Sequence, residues 1–205
     1  MLSTPKDALG DNLEGMRDLG KLDLRWSNDS YGSLDERVLH QLKPNMNVRC
    51  LVIAGYGGSR FPAWLIDQFL VDLEAYISFK SLESLPFERM PQWCEWIPNV
   101  AESEEKAFPR LQVLCIREGK LPNSIGSLKQ PWYMNLSESS EHRFSETVCT
   151  LHNLRIPILR WCKNLVELPT NLMNLTNLYH LDIKGARLQQ MTPQMGKLSK
   201  PSNFD

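Results

Sequence analysis

The sequence predicts an α/β fold: a horseshoe-shaped solenoid with a parallel sheet on its concave face and short helices and loops outside. Two observations support this prediction. A spacing of apolar residues, four and then three apart, recurs at a nearly constant interval in the second half of the chain. Each of its first three copies is followed by a short segment in which apolar residues alternate with others. One such coil cannot bury its own apolar face, so stability has to come from stacking on neighbouring coils.

The recurring spacing marks the outer segment of each coil. Four copies begin 23, 24 and 23 residues after one another. Because such spacing places side chains on one face of a helical turn, we expect a loose helical or irregular segment returning along the outside. The first residues of the copies should form one column. The apolar residues of the copies are Leu121, Ile125 and Leu128; Phe144, Val148 and Leu151; Leu168, Leu172 and Leu175; and Met191, Met195 and Leu198.

The alternating segments predict the strands. Each resembles L-x-x-L-x-L, with apolar residues at the first, fourth and sixth positions of a coil, and alternate side chains of a strand point to opposite faces. The first three coils are irregular, since their starts lie 29, 34 and 29 residues from the next one. In seven coils the three positions hold Leu19, Leu22 and Leu24; Val48, Leu51 and Ile53; Leu82, Leu85 and Phe87; Leu111, Leu114 and Ile116; Pro131, Met134 and Leu136; Leu154, Pro157 and Leu159; and Leu178, Leu181 and Ile183.

Two prolines stand where this pattern expects leucine. Pro131 and Pro157 occupy strand positions of the fifth and sixth coils. Proline cannot donate the hydrogen bond of a sheet ladder and is rare within central strands. We therefore expect these two coils to be locally weakened.

The chain divides by the regularity of its coils. Residues 1–107 carry irregular repeats with long loops, residues 108–200 carry the regular repeats, and residues 201–205 form a tail. Within the first part, Leu34 to Leu42 predicts a short amphipathic helix that stops before Pro44. The stretch 99–106 predicts a solvated loop, and the stretch 70–79 leaves room for a degenerate coil that cannot be aligned.

Composition and charge exclude several functions. The 205 residues contain 23 Lys and Arg against 24 Asp and Glu, so there is no surplus of positive charge to attract a phosphate backbone. Nucleic acid is therefore not expected as a partner. No uncharged apolar run approaches the roughly 20 residues of a membrane helix, so no membrane association is expected. The five cysteines form no close pair, which favours reduced thiols and a cytoplasmic location.

No residue pattern indicates catalysis, a cofactor or a metal. Gly55-Tyr-Gly-Gly-Ser59 resembles a phosphate-binding loop, but no Lys-Ser or Lys-Thr follows it, and a tight turn after a strand is the favoured interpretation. Cys162 is expected to make a structural polar contact inside the turn after its strand. No metal or catalytic role is expected for the histidines, because they lie far apart without matching ligands. They are His40, His142, His152 and His180.

The strand residues between the buried ones predict a binding face, because they must point to the concave side. Four of the seven coils carry a basic residue directly after the third apolar residue, at what we call the seventh position. Arg, Trp and Tyr dominate interface hot spots, so an acidic or mixed protein patch is the expected partner surface. A solvated face with scattered aromatic residues is the alternative. The candidate binding residues are Arg25, Trp26, Arg117, Tyr133, Arg160, Trp161 and Lys184.

Several blocks of this sequence resemble the leucine-rich-repeat region of plant nucleotide-binding disease-resistance proteins, the intracellular immune receptors of the coiled-coil class. The resemblance covers most of the chain. It implies non-catalytic protein recognition in innate immunity, with a pathogen effector, a guarded host protein or the receptor's own nucleotide-binding module as partner. The most specific blocks are Lys21-Leu-Asp-Leu-Arg-Trp-Ser-Asn-Asp29, Glu36-Arg-Val-Leu-His-Gln-Leu-Lys-Pro44, Gly55-Tyr-Gly-Gly-Ser-Arg-Phe-Pro-Ala-Trp-Leu65 and Met90-Pro-Gln-Trp-Cys-Glu-Trp-Ile-Pro98. Later blocks that carry the resemblance are Leu121-Pro-Asn-Ser-Ile-Gly-Ser-Leu-Lys129, Leu165-Val-Glu-Leu-Pro-Thr-Asn-Leu172 and Met191-Thr-Pro-Gln-Met-Gly-Lys-Leu198.

The chain also departs from the family pattern. In the family, the blocks similar to 121–198 precede those similar to 21–98, whereas here they follow them. No G-x-x-x-x-G-K-[ST] loop occurs, so we expect a fragment or a shuffled relative of a receptor without the nucleotide-binding module. The alternatives are a general leucine-rich-repeat scaffold or ubiquitin-ligase adaptor and, from another class, a hydrolase hidden in the first hundred residues, for which no nucleophile and base pair is evident.

Overall fold

The structure is a computed structural model, and it describes residues 13–27, 32–66, 79–90, 92–93, 108–122, 125–126, 128 and 130–189. Within these ranges, six short strands form one parallel sheet whose order follows the chain. Pairing of each strand with its sequence neighbours is the topology of a solenoid, which confirms the predicted fold class. The strands are β1 (Lys21–Arg25), β2 (Cys50–Ala54), β3 (Ser84–Glu88), β4 (Val113–Arg117), β5 (Tyr133–Asn135) and β6 (Ile156–Ile158).

The register of the sheet confirms the predicted alignment of the coils. Leu22 pairs with Leu51 between β1 and β2. The same register continues between β2 and β3, where Ile53 pairs with Phe87. It continues as far as β6, where Pro157 lies opposite Met134. The seventh coil joins through an isolated parallel bridge between Ile158 and Asp182. All seven coils therefore align at the positions that the apolar pattern predicts.

The outer segments of the later coils are 3-10 turns. Glu146–Thr150 and Leu172–Asn174 are 3-10 helices. The backbone amides of Ile125, Val148 and Leu172 each donate to the carbonyl three residues earlier, as a 3-10 turn requires. These turns confirm the loose helical return that the four-then-three spacing predicts.

The early coils use α-helices instead, namely α1 (Gly32–Gln41) and α2 (Ala63–Ile66). Helix α1 confirms the predicted helix before Pro44, and its Val38 and Leu39 are buried against the sheet side of the coil. The predicted loop at 99–106, the unaligned stretch up to residue 78 and the tail at 201–205 lie outside the described residues.

A single hydrophobic core runs through the described coils, from Leu13 to Leu181. In the predicted column, Phe144 and Leu168 are buried and Leu121 packs against the core at partial exposure. A parallel bridge between Arg143 and Glu167 places Phe144 beside Leu168 in adjacent coils. The last predicted member of the column, Met191, lies outside the described residues, as do Met195 and Leu198.

The chain leaves its strands through one residue in the left-handed backbone conformation. This residue follows the seventh position, so we call its place the eighth position. In the first coil the eighth position is Trp26, which has no positive φ. Its amide donates to the Ala54 carbonyl, as the other eighth-position amides do to the next coil. At the eighth position of the other coils, the left-handed residues, with φ between 51° and 73°, are Gly55, Arg89, Glu118, Glu138, Trp161 and Gly185.

Pro131 and Pro157 each remove one backbone hydrogen bond, in different ways. In the other six coils the first-position amide donates to the carbonyl three residues earlier, as Leu111 does to Phe108. Pro131 has no amide hydrogen, and because it precedes β5 the bond it removes belongs to a turn rather than to the sheet ladder. Pro157 lies inside β6 and has no amide hydrogen to donate to the seventh coil. The seventh coil pairs with β6 through an isolated bridge.

We expect Pro157→Val to raise the free energy of unfolding by about 1 kcal/mol, because the new amide can donate to the seventh coil. Valine is similar in volume to proline, so the packing of the buried fourth position is preserved. Urea unfolding followed by circular dichroism measures the difference. Pro169→Val is the matched control, since Pro169 begins a 3-10 turn and should gain nothing. Equal or lower stability of the Pro157 variant would contradict this account of the sheet edge.

Candidate protein-binding surfaces

The predicted binding residues at the seventh position lie in one continuous row. Backbone bonds link each eighth-position amide to the next seventh-position carbonyl, for example Trp161 to Lys184 at 2.8 Å. With strands about 4.8 Å apart, the row is roughly 30 Å long, so its basic residues do not form one compact patch. Ala54 and Ser137 in the row are buried. The row consists of Arg25, Ala54, Glu88, Arg117, Ser137, Arg160 and Lys184.

Carboxylates neutralise the arginines of this row. Arg117 Nη2 donates to Glu138 Oε1 at 2.9 Å, and its Nη1 lies 3.9 Å from Glu88 Oε1. Arg25 Nε lies 2.9 Å from Asp23 Oδ1 and also approaches Glu88. These pairs are largely exposed and contribute little to stability, but they cancel the positive charge that the sequence suggests.

The third predicted arginine is also neutralised. Arg160 Nε donates to the carboxylate of Asp182, whose own side chain is buried. The row is therefore a mixed-charge surface. Of the four basic residues of the row, the three arginines are paired with carboxylates, and within the described ranges only Lys184 has no ion pair. The basic residues of the row therefore do not give it an electrostatic preference for acidic partners.

The prediction that Trp26 lies on the binding face is wrong. Its side chain is 3% exposed and packs edge-on against Tyr56, with ring centroids 5.3 Å apart. Trp26 continues the alternation of β1, so its indole follows Leu24 into the core. Trp161 has the same coil position but a left-handed φ of 59°, and its indole is 51% exposed.

Tyr133 faces the open side of the sheet, as predicted, between the buried Met134 and the half-buried Trp132. Its ring meets Trp132 edge-on with centroids 6.0 Å apart. Burial raises the pKa of the Tyr133 hydroxyl above its ordinary value, and a hydrogen bond with Asn135 opposes that rise. Tyr133 therefore stays a neutral donor at physiological pH.

Trp161 lies on a groove of about 740 Å³ at the carboxyl ends of the strands, which we call the rim groove. The indole lies against Gly185, because a Cβ added to Gly185 would stand 2.3 Å from Cε3 of Trp161. The groove carries both signs of charge beside this aromatic side chain, which suits it to a protein surface. Its lining is Glu118, Glu138, Ser139, Ser140, Trp161, Lys163 and Asn164.

A second groove, of about 800 Å³, lies at the opposite ends of the later strands, and we call it the edge groove. The apolar pattern does not point to this groove, although its main residues share the second coil position, one residue after the first position. That register would have identified Trp132, Arg155 and Tyr179 as a row. The edge groove is lined by Gln130, Trp132, Asn153, Arg155, Ile156, Thr176, Asn177, Leu178 and Tyr179.

The glycine-rich loop is held by carboxylates of the protein itself. The Gly57 amide donates to Asp35 Oδ2 at 2.9 Å, and the amides of Ser59 and Arg60 donate to Glu36 Oε1 at 2.9 Å and 3.1 Å. Burial raises the pKa of Asp35, against the opposing hydrogen bond from Gly57. These amides are already satisfied by anions from α1, so the loop is the predicted turn, with Gly55 at φ 72°.

The described thiols are shielded. Cys162 is buried and its Sγ donates to the Leu136 carbonyl at 3.2 Å, which confirms the predicted structural contact. Burial raises the pKa of Cys115 to about 11, helped by nearby Glu88. Burial and then a hydrogen bond to Glu146 raise the pKa of Cys149 to about 12. These two thiols stay protonated at neutral pH, which disfavours nucleophilic chemistry.

The described ranges offer no other obvious chemical site. They contain no group of three or more His, Cys, Asp and Glu side chains placed to hold a metal ion. None of their helices has the length and apolar character needed to cross a bilayer.

Comparison with known proteins agrees with this architecture. Across 89% of its length, the chain is 28% identical to the disease resistance RPP13-like protein 1 of Arabidopsis thaliana. The match covers 24% of that protein. It is 25% identical to disease resistance protein RGA2 of Solanum bulbocastanum, over 82% of the chain and 22% of that protein. The chain thus spans about a quarter of the length of these relatives.

The fold agrees with a solved structure, the leucine-rich repeat domain of the type III effector XCV3220 (XopL). The TM-score is 0.50 at 21% identity, and the match covers 96% of this chain and 78% of that one. A family model described as R13L1/DRL21 LRRs matches residues 1–119, more than half of the chain. By this match and its coil register, the chain belongs to the R13L1/DRL21 leucine-rich-repeat family of plant disease-resistance proteins.

Proposed function

We propose that the chain is a non-catalytic protein-recognition module of plant innate immunity, and a fragment or shuffled relative of an intracellular receptor. The family and the disease-resistance relatives support the immune setting. A solenoid of this kind provides an extended surface and few enclosed cavities, which suits binding to proteins better than turnover of small substrates.

The observation that carries this proposal is the exposed indole of Trp161 on the rim groove. A large aromatic side chain held outward by its backbone loses little conformational freedom on binding. Glu138 and Lys163 line the same groove and provide polar groups beside the indole. An aromatic centre with a polar surround is the usual anatomy of an interface hot spot.

A partner on the rim groove would act by differential contact. The family resemblance implies a nucleotide-binding module whose resting state the repeats favour and whose active state an effector releases. A partner that binds the repeats better in one state shifts that equilibrium by its difference in affinity. The repeats themselves would contribute the binding part of that switch. The four described free thiols support a cytoplasmic setting, where thiols stay reduced.

The test uses the purified full chain and a purified nucleotide-binding module from a plant disease-resistance protein of this family, titrated by isothermal calorimetry. We expect saturable binding that Trp161→Asn weakens at least about tenfold, because a central aromatic hot spot is lost. Asparagine tolerates the left-handed backbone of this position, so the coil should remain folded.

The matched control is Tyr179→Ser, which removes an exposed aromatic residue from the edge groove instead. It should leave this binding unchanged. No binding, or equal losses from both variants, would count against the rim groove as the recognition surface.

A further inference from the structure

We propose that the edge groove binds an extended acidic segment of a partner protein, with a carboxylate of that segment over Arg155 and its flat side chains against Trp132 and Tyr179. This surface lies at the opposite ends of the strands from the rim groove. The inference therefore stands independently of the function proposed above.

The geometry of adjacent coils builds a slot of defined width. The Arg155 amide donates to the Trp132 carbonyl at 2.8 Å, and the Tyr179 amide donates to the Arg155 carbonyl at 2.8 Å, so the three residues lie side by side in consecutive coils. Neighbouring strands lie about 4.8 Å apart, which separates the two aromatic residues by roughly 10 Å. That separation leaves room for a single extended chain beside Arg155.

The Trp132 wall of the slot is held in place before binding, and the Tyr179 wall is open to contact. Trp132 Nε1 donates to Gln112 Oε1 at 3.4 Å, and its ring is held edge-on by Tyr133. Tyr179 is 69% exposed, an unusual exposure for so large a side chain. Rigid aromatic side chains at a groove contribute binding area at a low entropic cost.

The charge of the groove selects the partner. Arg155 is its one ionised residue, and none of its lining residues is Asp or Glu. In contrast to Arg25, Arg117 and Arg160, Arg155 has no ion pair with a described carboxylate. An arginine fork between aromatic rings matches a carboxylate with two parallel hydrogen bonds. Gln130, Asn153 and Thr176 bring amide and hydroxyl groups that suit the backbone of an extended peptide.

A protein segment fits better than a nucleic acid. Stacked bases also use aromatic rings and arginine, but single-stranded nucleic acids require a positively charged track along their phosphates. The groove offers a single cation, and the chain has a formal net charge of −1. The observations therefore favour an acidic peptide, and an oligonucleotide serves as the competing probe.

The test is selection of twelve-residue phage-displayed peptides on the immobilised full chain, followed by fluorescence anisotropy with the most enriched peptide. We expect enriched peptides to carry Asp or Glu beside proline or an aromatic residue. Arg155→Gln should weaken binding of that peptide about tenfold, and Tyr179→Ser should weaken it at least about fivefold. Raising the salt from 0.05 to 0.5 M should weaken it as well, because the contact is charged and accessible.

Two controls keep the result interpretable. Trp161→Asn, at the opposite strand ends, should leave peptide binding unchanged, and circular dichroism should report the wild-type fold for each variant. The proposal is overturned by a selection that enriches no acidic peptides, by binding that Arg155→Gln does not affect, or by a labelled oligo-dT that binds more tightly than the peptide. Failure of the rim-groove titration with success here would separate the two surfaces.

Discussion

Leu114→Ala should lower the free energy of unfolding by about 3 to 4 kcal/mol, the upper part of the range for a buried leucine replaced by alanine. Leu114 is 0% exposed in β4 and pairs with Leu85 on one side and Met134 on the other. A cavity there disrupts both neighbouring interfaces at once. In a stack whose stability comes from contacts between adjacent coils, the loss should separate the chain into two weaker halves.

The measurement is urea unfolding followed by circular dichroism. Val113→Ala is the matched control, because Val113 lies in the same strand but faces the open side and is only half-buried. It should cost below about 1 kcal/mol. Similar losses for the two variants would mean that the apolar spine does not carry the stability of the stack. A weaker dependence of the unfolding free energy on urea concentration for Leu114→Ala would indicate that the two halves unfold separately.

The alignment of the coils could be predicted from sequence because one physical requirement sets it. A residue turned away from the shared core loses contact with both neighbouring coils, so apolar residues recur at fixed positions of every coil. The pairings of Leu22 with Leu51 and of Phe87 with Ile116 follow from that recurrence alone. The helix before Pro44 was predictable for the same reason, since its apolar spacing and its stop are local signals.

The surface could not be predicted as well, because it depends on backbone conformations and partners that apolar spacing does not report. Trp26 and Trp161 share a coil position, and a difference in φ sends one indole into the core and the other to solvent. Two arginines of the seventh-position row are neutralised by carboxylates from other coils and other positions, namely Arg117 by Glu138 and Arg160 by Asp182. A residue-by-residue count of charge along one row cannot include those partners.

The loop after β2 shows the same limit. Its glycines suggested a turn, but the carboxylates that hold it come from α1, more than twenty residues earlier. Asp35 and Glu36 look like ordinary first-turn residues of a helix in the sequence. Only the packing of α1 against the loop shows that they satisfy the amides of Gly57, Ser59 and Arg60.

Gly55→Ala should lower the free energy of unfolding by about 2 to 4 kcal/mol, from two additive causes. Gly55 has a φ of 72°, which costs an alanine roughly 1 to 2 kcal/mol. An added Cβ would also stand 2.7 Å from the carbonyl oxygen of Trp26, a backbone atom that cannot move without disturbing β1. The turn that holds the Gly57 amide against the Asp35 carboxylate should loosen as well.

Two comparisons divide this loss between its causes. Gly20→Ala introduces a Cβ that meets nothing within 4 Å, so its stability should stay within about 0.5 kcal/mol of the wild type. Arg89 holds the equivalent coil position at φ 51°, so Arg89→Gly releases left-handed strain and should raise stability by up to about 1 kcal/mol. If the loss in Gly55→Ala were no larger than the gain in Arg89→Gly, strain alone would explain it. A larger loss places the excess in the contact with Trp26, and so in the packing between the first two coils.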